Sequence, residues 1–110
     1  MDPSKMRDRI EIWRQTLITD ENDWEVEHYV LHRTIWGRIR YQSGREFREK
    51  GMAGATTLAT FSIRWRDDIA QQDMLKSGDT WWNIRAVVPV GFKVGVDINA
   101  ESAGEPPSHD

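Results

Sequence analysis

The sequence predicts an all-β protein, a small antiparallel β-barrel or sandwich with one long loop that holds at most a short helix. Two observations carry this reading. Apolar residues recur with a period of two in nearly every apolar stretch, which is the strand period and not the helical one. Polar and glycine-bearing turn clusters separate these runs at short spacing, so six or so strands follow one another as neighbours. A chain of 110 residues with six Trp, three Phe and two Tyr is the size of one domain and has the apolar area for one core.

The elements follow in order. "RIEIW" sets Ile10 and Ile12 against Arg9, Glu11 and Trp13, and "ITDEND" after it is a polar turn cluster. "WEVEHYV" sets Trp24, Val26, His28 and Val30 against Glu25, Glu27 and Tyr29. "TIWGRIRYQ" places Ile35, Gly37, Ile39 and Tyr41 on one face and Trp36, Arg38 and Arg40 on the other. A glycine-bracketed stretch, residues 42–57, reads as the long loop; connections of this length tend to be functional or mobile. "TTLATFSIRWRDDI" then turns Phe61, Ile63 and Trp65 to one face and Ser62, Arg64 and Arg66 to the other. "SGD" is a tight turn joining "DML" to "TWWNIRAVV". Pro89 lacks a ladder donor, so "VGFKVGVDI" reads as a last strand that is bulged or at an edge. We therefore expect one barrel domain over residues 1–98 and a flexible acidic tail over residues 99–110, where "NAESAGEPPSHD" offers little to bury.

Composition narrows the function. The chain has no cysteine, which excludes disulfides and thiolate metal sites. Its first residues lack the apolar centre of a signal peptide, and no apolar run approaches the roughly 18 residues of a membrane span. These features lead us to expect a protein made in a cytoplasm, without a membrane partner. The net charge of -3 is unevenly distributed. Asp20, Glu21, Asp23, Glu25 and Glu27 crowd one stretch, while Arg33, Arg38, Arg40, Arg45, Arg48 and Lys50 follow against only Glu46 and Glu49. Such blocks are solvated faces, or they serve complementarity between copies of the chain or attraction to phosphates.

Candidate chemistry is sparse. His28 and His32 are four apart, a ligand spacing on a helix, but on a strand about 13 Å separates their backbones. Asp67 and Asp68 are adjacent and would point to opposite faces of a strand, so a turn role suits them better. "KSGD" lacks the glycine and hydroxyl residues of a phosphate loop. Neither an enzyme nor a cofactor is expected. Trp81 and Trp82 are candidate exposed aromatics: on a strand one indole turns outward, and beside arginines it would stack on single-stranded nucleic acid or pack under a loop or subunit.

Taken together, "MRDRIEIWRQT", "IWGRIRYQSGREF", "TTLATFSIRWRDDI" and "SGDTWWNIRAV" resemble the bacteriophage head-tail joining family, also called head closure or stopper proteins. The matching positions are Trp36, Gly44 to Glu46, Ile63 to Arg66 with Asp68 and Ile69, and Gly78 with Trp82 to Ile84. The resemblance runs from about Arg7 to Val88. It implies a small β-barrel that assembles as a ring at the head-tail interface of a virion put together in the bacterial cytoplasm. Such a ring joins the portal or adaptor on the head side to a tail tube or tail terminator protein, and it helps close the channel on packaged double-stranded DNA. Related proteins occur in gene transfer agents.

On this reading Arg64 and Arg66 would meet a neighbouring subunit or the adaptor, with Asp20, Glu21, Asp23, Glu25 and Glu27 as their complement. The 42–57 loop, with Arg45, Arg48, Lys50, Gly51 and Gly54, would face the channel or clasp a partner. Two other roles suit the same features: a barrel that binds single-stranded nucleic acid, and a tail-side completion or terminator ring.

Overall fold

The computed structural model describes residues 6–42 and 57–110. They form six strands: β1 (Asp8–Thr19), β2 (Glu25–Tyr41), β3 (Leu58–Arg64), β4 (Met74–Ser77), β5 (Thr80–Val90) and β6 (Gly95–Ser102). All pair antiparallel in the order β1-β2-β3-β6-β5-β4, and β4 returns to β1, which closes the sheet into a barrel. The expected all-β class is thus the observed one, in its barrel form. The expected long loop, with at most a short helix, lies mostly outside the described residues.

The core is the inward set of the predicted alternation. Ile10 and Ile12 of β1, Phe61 and Ile63 of β3, Leu75 of β4, Trp82 and Ile84 of β5, and Val96, Ile98 and Ala100 of β6 are all buried together. Between Asp8 of β1 and Ile63 of β3, β2 carries Gly37. A Cβ there would lie 2.7 Å from the Ser62 carbonyl oxygen and 2.7 Å from Ile10 Cδ1, so no larger residue fits.

Three features depart from the strand-by-strand reading. "WEVEHYV" and "TIWGRIRYQ" are one continuous strand of 17 residues. The register slips by one between Ile12 and Trp13, where Ile12 faces Arg33 but Trp13 faces Leu31, leaving His32 as the extra residue. That slip reverses the inward-outward phase of β2, so Leu31 and Tyr29 share the outer face of Trp13, which is outward by the alternation of β1 yet still buried. Finally, "VGFKVGVDI" is not one strand. Val90 ends β5, residues 91–94 turn, and β6 begins at Gly95. Pro89 sits inside β5 opposite Val96, on a stretch that pairs with β6 but not with β4.

The expected boundary at residue 98 falls inside β6, which continues to Ser102 because Ala100 fills a buried core position opposite Ala59. Beyond it the chain folds back across the outside of the barrel. Ala103 N–H donates to the Trp81 carbonyl at 2.8 Å, and Tyr29 N–H donates to the Ser108 carbonyl at 2.8 Å. His109 forms a parallel bridge with Tyr29. Its ring lies 4.7 Å from that of Trp81 and 5.5 Å from that of Trp13. On the other face of β2, His28 pairs with Ser108 Oγ at 2.8 Å and Asp110 Oδ1 at 2.7 Å.

Candidate functional site

The longest hairpin reaches beyond the barrel. β1 meets β4 only at residues 11–13, and β2 meets β3 only at residues 37–41, whereas β1 and β2 pair with each other from Asp8↔Gly37 out to Thr19↔Glu25. The outer half of this hairpin is therefore a two-stranded arm. A lone hairpin is marginal in water, so its root needs support. The tail supplies it on one side. On the other, the Arg14 guanidinium makes two bonds to Asp73, at 3.2 and 3.0 Å, and donates to the Asp68 carbonyl.

The acidic block lies at the tip of this arm. Asp20 shapes the turn: its Oδ1 accepts from the Asn22 and Trp24 amides, both at 2.9 Å, and Asp23 takes a positive φ of 61°. Glu21, Asp23, Glu25 and Glu27 are exposed and make no ion pair among the described residues. Apolar groups stand beside them in the open: Trp24 is 70% exposed and Leu17 is 60% exposed. Past Tyr29, where the tail pairs with β2, the arm has no further strand partner among the described residues, and with its bare apolar side chains it is the kind of element that partners cover.

The two predicted arginines part company. Arg64 is exposed at the end of β3, as its alternation implies. Arg66 lies past the strand and folds onto its own chain, with Nε to Asp68 Oδ1 at 2.9 Å and Nη2 to Oδ2 at 2.8 Å. His32 Nε2 joins the same carboxylate at 2.8 Å. Asp68 is thus held well below the usual carboxylate range, first by the Arg66 hydrogen bonds and then by His32, against the opposing effect of burial. His28 and His32 serve separate contacts, one to the tail and one to Asp68. Arg45, Arg48, Lys50, Gly51 and Gly54 lie outside the described residues.

Trp81 and Trp82 correct the aromatic expectation, since neither is exposed. Trp82 is 2% exposed inside the barrel against Phe61. Trp81 is the one of the pair that turns outward, but it is only 4% exposed, because Trp13, Met74 and the returning tail cover it. The open aromatic near arginines is another residue, Trp36, which is 62% exposed on β2. Arg9 on β1 is its direct cross-strand partner. Arg38 is two residues along the same face, paired with Ser62. Gly37 pairs with Ile63, which brings Arg64 alongside Trp36 from β3. Arg9, Arg38 and Arg64 are exposed and make no ion pair among the described residues, whereas Arg40 leans 3.7 Å from Asp97. The sequence placed Trp36 and Arg38 on one face of their strand; only the register across β1, β2 and β3 adds Arg9 and Arg64.

Known proteins resemble this chain in two ways. The family model described as phage head completion protein matches residues 1–97. Among solved structures, the solution structure of a Shigella flexneri 2a protein aligns with a TM-score of 0.71 at 24% identity, covering 96% of this chain and 100% of that one. At that identity the likeness speaks for the fold alone. A comparison with curated proteins gave no match.

Proposed function

The chain belongs to the phage head completion protein family, and from that premise we propose that it forms a ring at the head-tail interface of a virion. Membership supports a structural role in closing the phage head. On our reading the ring joins the portal or adaptor of the filled capsid to the tail and helps retain packaged DNA. No chemical step is needed for this role.

The family match carries the reading, and the architecture supports it. A closed barrel with a buried core makes a stiff body, while the acidic arm adds a projecting element whose tip has no strand partner among the described residues. The nucleic-acid alternative loses its first stacking candidates, because Trp81 and Trp82 are buried. The test is electron microscopy of particles from a strain lacking this gene, with purified protein added back to half the sample. Tailless heads that lose DNA and gain tails on add-back are the expected result. Normal tailed particles without the protein would refute the joining role.

A further inference from the structure

The acidic arm and the arginine face lie at opposite ends of one ribbon. From the Arg9↔Trp36 pair to the Thr19↔Glu25 pair is ten residues along β1, about 33 Å at the rise of a strand. The arm is therefore too far from the arginine face of its own chain to cover it. Each end is nonetheless incomplete: Glu21, Asp23, Glu25 and Glu27 flank a bare Trp24 at the tip, and Arg9, Arg38 and Arg64 surround a bare Trp36 at the base. The two surfaces match in charge and in having one open indole each.

We propose that the β1–β2 arm of one copy docks on the Arg9, Trp36, Arg38 and Arg64 face of the next, as the subunit contact of the ring. This inference rests on the joining role proposed above and assigns its interface. A contact between two different patches is head-to-tail, so it repeats until the rotation closes. Opposite charges set the register and suppress wrong pairings, while burial of Trp24 and Leu17 supplies the apolar part. Arg66 takes no part, since Asp68 already holds its guanidinium in the same chain.

The absence of cysteine makes the test clean. A chain carrying both Glu25→Cys and Arg64→Cys is added back to particles lacking the protein, which are then purified and treated with a short bismaleimide. The expected result is a ladder of covalent multimers rising in single-chain steps, with each single-cysteine chain staying monomeric. A doubly substituted chain that is present in joined particles and stays monomeric overturns the contact while leaving the joining role intact. Dimers from either single-cysteine chain also overturn it, because they report a symmetric contact. Absence of the chain from joined particles overturns the joining role and this contact with it. Arg9→Glu, Arg38→Glu and Arg64→Glu together should abolish the joining of heads to tails. If this triple variant instead joins normally but no longer retains a short oligonucleotide bound by the parent chain, the face belongs to nucleic acid and the proposal fails.

Discussion

Asp68 ties together three parts of the chain that the sequence keeps far apart. Its carboxylate accepts from Arg66 and His32, and its carbonyl accepts from Arg14, which also grips Asp73. Asp73 is 3% exposed and turns its Oδ2 to the Ala70 amide as well, so the cluster fixes residues 66–73 against the root of the arm. Asp68→Asn keeps the shape and removes the charge. We expect it to destabilise the fold by about 2 kcal/mol at neutral pH, the range of hydrogen bonds to a charged group. The pH dependence follows from the lowered pKa of Asp68. A carboxylate more acidic in the folded state adds stability above its unfolded value near about 4, and that stability is lost as pH falls toward the folded value. Urea melts of both proteins should differ most at pH 7 and converge below about pH 4. A gap independent of pH would mean that the carboxylate's charge is not what stabilises the cluster.

At the scale of elements, the tail is held by contacts that a change of one side chain can probe. His109 sits against Trp13 and Trp81 on the outside of the barrel, so His109→Ala should uncover both indoles. A loss of about 1 kcal/mol in thermal stability is expected from such ring contacts, with a change in tryptophan emission. Unchanged emission would show that the tail does not shield them. The period-two alternation made most of the barrel legible, as in the inward Phe61 and Ile63 and the outward Arg38. What it could not reveal depends on neighbours. One extra residue at His32 reverses the phase of β2 opposite Trp13, and nothing in the composition of either strand marks the slip. Trp81 did turn outward, but its cover comes from residues 103–110, whose acidic and proline-bearing composition reads as a free tail. The arginine face was half visible for the same reason, since strand pairing alone decides that Arg9 stands beside Trp36.

For the whole molecule, the proposed contact divides the work, with stability in the barrel and assembly in the arm. The buried core lies in the barrel, and the arm beyond Thr16 and His28 contributes exposed apolar and acidic groups. Thr16 and His28 are cross-strand partners, so an Asn-Gly pair replacing residues 17–27 would close the shortened hairpin with a two-residue turn and keep His28 available to the tail. This variant should unfold within about 1 kcal/mol of the parent, because no core residue is lost. It should also fail to join heads to tails in the add-back assay. The parent protein should join them less well as salt rises, since the Debye length shrinks to about 3 Å at 1 M and the acidic and basic patches are exposed. The two measurements answer different questions. Joining that resists salt but needs the arm would leave the apolar contact of Trp24 and Leu17 as the adhesive part. Normal joining by the shortened chain would remove the arm from the interface altogether.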